Sequence, residues 1–147
     1  MQILPIDEDH LEELYGLHIN VYSQPPWNEH WERQWVDDRY QLILSSKLAL
    51  GFVAIKNDRV CGAILGRGIP FKGELEFEVC ELFVANDLQR EGVGQSLINH
   101  LYKTLSYHGM SYIILMTKRD STANDFYLKS GFNPIDELRF FYKKVQN

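Results

Sequence analysis

Glu76, Glu78 and Glu81 fall on one apolar segment that runs into the loop Gln89-Arg90-Glu91-Gly92-Val93-Gly94-Gln95-Ser96. Carboxylates placed this way can take a proton from a reacting group. The loop suits an anion. A strand that ends in it and a helix that begins near Gly92 would aim free backbone N–H groups and the positive end of the helix at one point, where a phosphate or pyrophosphate fits. Gly92 and Gly94 leave room for that approach, and Arg90 adds a cation.

Two common phosphate cradles are excluded by single residues. A P-loop needs Lys after its last glycine, and Gln95 stands there. A dinucleotide loop needs a third glycine at position 97, which is Leu97, and an acidic end to the next strand, which here ends at Lys118. What remains is Gln/Arg-x-x-Gly-x-Gly. With Glu81-Leu82-Phe83-Val84 before it and Ala123-Asn124-Asp125-Phe126-Tyr127-Leu128-Lys129-Ser130-Gly131-Phe132 after it, the chain resembles the GNAT (GCN5-related N-acetyltransferase) superfamily.

That resemblance implies acetyl-CoA as co-substrate and assigns residues to it. Leu82 or Phe83 would offer a backbone N–H to the thioester oxygen, and Val84 would pair with the pantetheine arm. Gln89, Arg90, Glu91, Gly92, Val93, Gly94, Gln95 and Ser96 would hold the pyrophosphate. Tyr127 would protonate the leaving thiolate; without the family it reads as a packing residue with a polar tip. The family often has Asn seven residues before this Tyr, where Asp120 stands here, and Asn124 is the candidate substitute.

Acetyl transfer to an amine also needs a base, since a primary amine with a pKa near 10 is almost wholly protonated at neutral pH. Glu81 is the preferred candidate and Glu78 the second. Strict alternation puts Glu76 and Glu78 on one face and Glu81 on the other unless a bulge intervenes, and the family carries one in this strand. For any one of these acids a solvated sheet face is an equal reading.

The elements that must position these groups follow from periodicity. Strands are expected over residues 2–6, 50–56, 60–67, 75–84, 112–117 and 140–145, and helices from Asp7 or Asp9 to the Pro25-Pro26 stop and over 29–46, 92–108 and 121–129. Asn57-Asp58-Arg59 reads as a hairpin turn and residues 71–74 as a loop. The order predicts a mixed α/β fold: helices covering a mostly antiparallel sheet with a central, splayed parallel pair at the cofactor site.

The chain has 147 residues, 45% hydrophobic and 13% aromatic, which suits one domain over 1–147. The absence of a long apolar run and of an export signal predicts a cytoplasmic protein with no membrane partner. A net charge of -5 disfavours nucleic acid as a partner. Cys61 and Cys80 lack metal-ligand spacing and a neighbouring His, so neither a metal nor a covalent acyl-enzyme is expected.

Tyr22, Trp27, Glu29 and Trp31 are candidate acceptor contacts, because aromatic and acidic groups together hold an ammonium. The alternative makes Trp31 and Trp35 core residues and Glu29 a helix start. The expectation is direct acetyl transfer, in a ternary complex, to a primary amine of a small cationic or lysine-like acceptor. A non-catalytic acyl-CoA-binding module is the alternative, and Phe140-Phe141-Tyr142 suggests a homodimer through the last strand.

Overall fold

The computed structural model describes residues 1–146, in two compact units, Met1–Leu115 and Met116–Asn147. The first unit holds β1 (Gln2–Pro5), α1 (Glu8–Ser23), α2 (Arg33–Leu44), β2 (Ala49–Lys56), β3 (Arg59–Phe71), β4 (Glu74–Val84), a short 3-10 turn at Asn86–Leu88, α3 (Val93–Tyr107) and β5 (Tyr112–Ile114). The second holds α4 (Thr122–Lys129). The strands form one sheet in chain order, antiparallel except for the β4–β5 pair.

Local chemistry explains most boundaries. Asp7 caps α1 by accepting from the Asp9 N–H at 2.9 Å, and the ring of His10 accepts from the Asp7 N–H at 3.2 Å. The β2–β3 turn has Asn57 and Asp58 at φ 52° and 57°, the left-handed pair that matches strand twist. The same device, Lys72 and Gly73 at φ 51° and 79°, joins β3 to β4 where a loop was expected. Strand β3 therefore runs past Arg67 to Phe71. Pro70 is tolerated because β2 stops pairing at Arg67, so that side of β3 needs no donor there.

Three expectations are corrected. Helix α2 begins at Arg33 rather than residue 29, because the Glu29 N–H bonds the Tyr22 C=O at 2.7 Å and holds the segment against the end of α1. Strand β5 pairs with β4 only through Glu76–Tyr112, Phe77–Ile113 and Glu78–Ile114, so the parallel pair sits at the sheet edge and splays early. No strand forms over residues 140–145; the second unit offers that segment no strand to pair with, and an isolated strand is not stable. The expected dimer contact through that strand loses its element.

The two faces of the sheet are covered separately. Leu14, Tyr15, Val21, Val36, Tyr40 and Ile43 of α1 and α2 cluster with Val53, Ala63, Leu65 and Phe83. On the other face Val93 and Leu97 of α3 lie over Gly62, and His100 meets Phe52 ring to ring at 4.6 Å. No described helix is long and apolar enough to cross a membrane.

Candidate active site

The register of β3 against β4 decides where the acids point. Leu65 pairs with Glu81 but Gly66 with Val79, so Cys80 is an extra residue and β4 bulges there. Arg67 pairs with Glu78, and Arg67 and Leu65 share a face of β3. Glu78 and Glu81 therefore lie on the same face of the sheet, the one covered by α1 and α2, which strict alternation would forbid. Gly66 makes the bulge possible: a Cβ there would lie 1.9 Å from the Glu78 carbonyl oxygen.

Glu81 is 7% exposed and both its oxygens are held. The Tyr22 hydroxyl donates to Oε2 at 2.8 Å, and Arg39 Nε donates to Oε1 at 2.6 Å. Burial pushes the carboxyl above its usual range, while Arg39 and the Tyr22 hydroxyl pull it back. Arg39 also donates to the Cys80 C=O at 3.3 Å. Sequence reasoning missed Arg39. Its spacing from Val36 and Ile43 was the available signal, since three and four residues along a helix place it on the buried stripe.

A second unforeseen feature is His18, fully buried among the rings of Tyr22, Trp31, Tyr40 and Phe83 at 4.6 to 5.5 Å. Its Nδ1 shares a hydrogen bond with the Tyr40 hydroxyl at 2.8 Å, and its Nε2 has no partner among the described residues. Burial lowers its pKa to about 4, so the ring is neutral at physiological pH.

Backbone direction along β4 follows from one bond. The Ala85 N–H donates to the Cys61 C=O at 2.8 Å, so in an antiparallel ladder Phe83 and Glu81 also face β3, while Leu82 and Val84 direct their N–H groups to the opposite edge. Between the two candidates for the thioester oxygen, this geometry separates Leu82 from Phe83. Phe83 instead packs in the core beside Tyr22.

The loop after β4 has the shape expected of an anion cradle. Gln89 Nε2 donates to the Val84 C=O at 3.2 Å and to Asn86 at 3.0 Å, fixing the turn rather than reaching outward. Arg90 and Gly92 take φ of 66° and 87°. The first intrahelical bond runs from the Ser96 N–H to the Gly92 C=O, so the Val93 and Gly94 N–H groups precede it, and no side chain caps this end. A Cβ at Gly92 would meet nothing within 4 Å, so the approach to these N–H groups is open. Glu91 pairs with Lys56 at 3.8 Å, and Val93 is a core residue whose side chain faces the sheet. These features fit a pyrophosphate held by backbone donors.

Trp27 lies edge to face with Tyr22 at 5.7 Å, and Trp31 Nε1 donates to Glu29 at 3.1 Å. Of these four, Tyr22 bonds Glu81 directly, Trp27 packs on Tyr22, Trp31 reaches Tyr22 through His18, and Glu29 is held by Trp31. Asn124 and Tyr127 stand on α4 in the second unit, where Asn124 N–H caps onto Ser121 and Tyr127 stacks edge-on against Phe126 and Phe132. Cys61 and Cys80 are free, and burial raises both thiols, which disfavours a thiolate nucleophile.

The fold has counterparts among known proteins. An aminoglycoside acetyltransferase, meta-AAC0020 from an uncultured soil metagenomic sample, solved with sisomicin, superposes with a TM-score of 0.78 at 18% identity, covering 99% of this chain and 96% of that one. AAC(6')-Iy, solved with the bisubstrate analog CoA-S-monomethyl-acetylneamine, gives 0.78 at 19%, covering 98% of each chain. At such identities the likeness is one of fold. The tRNA(Met) cytidine acetyltransferase TmcA of Aeropyrum pernix is 34% identical over 67 residues, which make up 46% of this chain and 9% of that protein, so the chain spans under a tenth of that relative's length. Residues 10–143 match the model of the acetyltransferase (GNAT) domain, and the chain belongs to that family.

Proposed function

We propose that the protein moves an acetyl group from acetyl-CoA to a primary amine of a small cationic acceptor by direct attack in a ternary complex. The observation that carries this reading is the buried Glu81 carboxylate, tied to Tyr22, on the strand whose outer edge presents the Leu82 and Val84 N–H groups. The net charge of -5 and the aromatic residues at 22, 27 and 31 favour a cationic acceptor.

Acetyl-CoA supplies the thioester. The residues of the chain handle protons and charge. A phenol oxygen that donates its own proton keeps lone pairs to accept with. Tyr22 therefore takes a proton from the acceptor ammonium as its own proton passes to Glu81 Oε2, leaving Tyr22 neutral and the amine free to attack. Arg39 favours the ionised form of Glu81 against the effect of its burial. Glu78, on the same face, is the second candidate base. The Leu82 N–H meets the charge that develops on the thioester oxygen, Val84 lines the arm, and the residues from Gln89 to Ser96 hold the pyrophosphate through the backbone. Tyr127 as the acid for the thiolate, Asn124 as a cofactor contact, and a single domain over 1–147 belong to this reading through the motif alone.

Thiol release from acetyl-CoA, measured against polyamines, aminoglycosides, amino acids and lysine peptides, tests the proposal. Turnover with an amine class supports it. Thermal stabilisation by CoA without turnover on any amine would favour the binding module instead.

A further inference from the structure

Glu29, His30, Trp31 and Trp35 line an open recess of about 330 Å³ on the first unit. We infer that this recess is a subsite for a second, non-reacting ammonium group of the acceptor, which makes the acceptor a molecule with at least two amines. The inference rests on the reading of Glu81 and Tyr22 as the reacting end.

The chemistry of the lining points to a cation. Trp31 Nε1–H holds Glu29 Oε1 at 3.1 Å, which pins the carboxylate beside an indole and leaves Oε2 able to accept. Trp35 is 48% exposed, and its ring meets that of His30 edge-on at 5.7 Å. A carboxylate next to two indoles attracts an alkylammonium by charge and by the ring faces together. Neither nearby guanidinium competes for Glu29: Arg33 pairs with Glu12, and Arg39 with Glu81.

The recess is tied to the reacting end by direct contacts. The Glu29 N–H bonds the Tyr22 C=O at 2.7 Å, and the Trp31 ring touches His18 at 4.7 Å, which touches Tyr22 at 4.6 Å. The negative charge of Glu29 is also felt at Glu81. On this inference one molecule places one ammonium against Glu29 and Trp35 and presents another amine to Tyr22. A monoamine fills only one of these places.

The test compares cadaverine with pentylamine, and an aminoglycoside in parallel, on the wild type, Glu29→Gln, Trp35→Ala and Trp35→Phe. The inference expects the wild type to prefer a diamine or the aminoglycoside over pentylamine in kcat/KM. Glu29→Gln and Trp35→Ala should cut that preference about tenfold, mainly through KM, and Trp35→Phe should restore most of it. Whichever polyvalent amine shows the drop identifies the source of the second ammonium. A wild type without preference, or a preference untouched by both variants, overturns the subsite. If no amine is acetylated, the reading of Glu81 has failed instead. Calorimetric titration of the protein with cadaverine then decides the subsite alone: binding that weakens in Glu29→Gln supports it, and no binding overturns it.

Discussion

The Tyr22 hydroxyl donates to Glu81 Oε2 at 2.8 Å, joining the last turn of α1 to the bulged part of β4. Removing that oxygen separates a proton relay from a packing contact. Tyr22→Phe should lower turnover by about 100-fold with CoA affinity kept, since general acid–base groups contribute on that scale. Thiol-release kinetics beside CoA titration measure both. A normal rate would show that the phenol only packs.

Arg39 opposes the effect of burial on Glu81. In Arg39→Met the carboxyl should titrate higher, so the acid limb of kcat/KM should move to higher pH. Stability should respond too. A folded-state pKa raised above the ordinary carboxyl value of 4.5 means that the folded state binds the proton more tightly, so the stabilisation present at low pH is lost as pH rises through the folded value. The variant should extend that loss upward and cost about 1–3 kcal/mol near neutrality, reduced from the buried-pair range because Arg39 is 42% exposed. Urea unfolding at several pH values measures it; parallel curves for the two proteins would contradict it.

His18 predicts the opposite slope. Its folded pKa is lowered to about 4, from 6.5, so as pH falls below 6.5 the unfolded chain takes a proton that the folded one refuses. Stability should decline from pH 6.5 towards 4 by about 3 kcal/mol. His18→Gln, whose carboxamide can still bond the Tyr40 hydroxyl, should remove that part of the slope in the same unfolding series. An unchanged slope would assign it to other groups.

Gly66→Ala should be costly out of proportion to its size. The added Cβ would overlap the Glu78 carbonyl, and backbone rather than a flexible side chain must move. A loss of about 3 kcal/mol or more is expected in urea unfolding. A loss below about 1 kcal/mol would mean that the bulge is not held in place there.

Gly92→Asp tests the anion cradle. Space is available for the side chain, but its charge would stand before the Val93 and Gly94 N–H groups. CoA affinity should fall at least tenfold by calorimetry, while Gly92→Ala should lose less, chiefly from φ of 87°. Unchanged affinity in Gly92→Asp would remove the loop assignment.

Some of this site was legible in the residues because local chemistry determines it. The open turn into α3 follows from glycines at 92 and 94 before an apolar stripe, and the Asn57-Asp58 turn from residues that accept positive φ. The bulge at Cys80 was not legible, since it depends on how closely Gly66 of another strand lets β4 approach. The strand expected over 60–67 is longer than that, because a partner strand and a tight Lys72-Gly73 turn carry β3 to Phe71. The start of α2 was set by a bond from Glu29 to Tyr22, a tertiary contact that no helix signal encodes. Arg39 was overlooked because a charge on a helix usually faces water.

Beyond Glu78, no other described strand pairs with the outer edge of β4, and an unpaired strand edge is a template for intermolecular pairing. Here two of its carbonyls are already occupied, Cys80 by Arg39 and Val84 by Gln89. A foreign strand seeking a full ladder would have to displace a guanidinium and a carboxamide. Variants chosen for altered catalysis at Arg39 or Gln89 should therefore also free a carbonyl on that edge, which light scattering of the concentrated protein would register as faster aggregation.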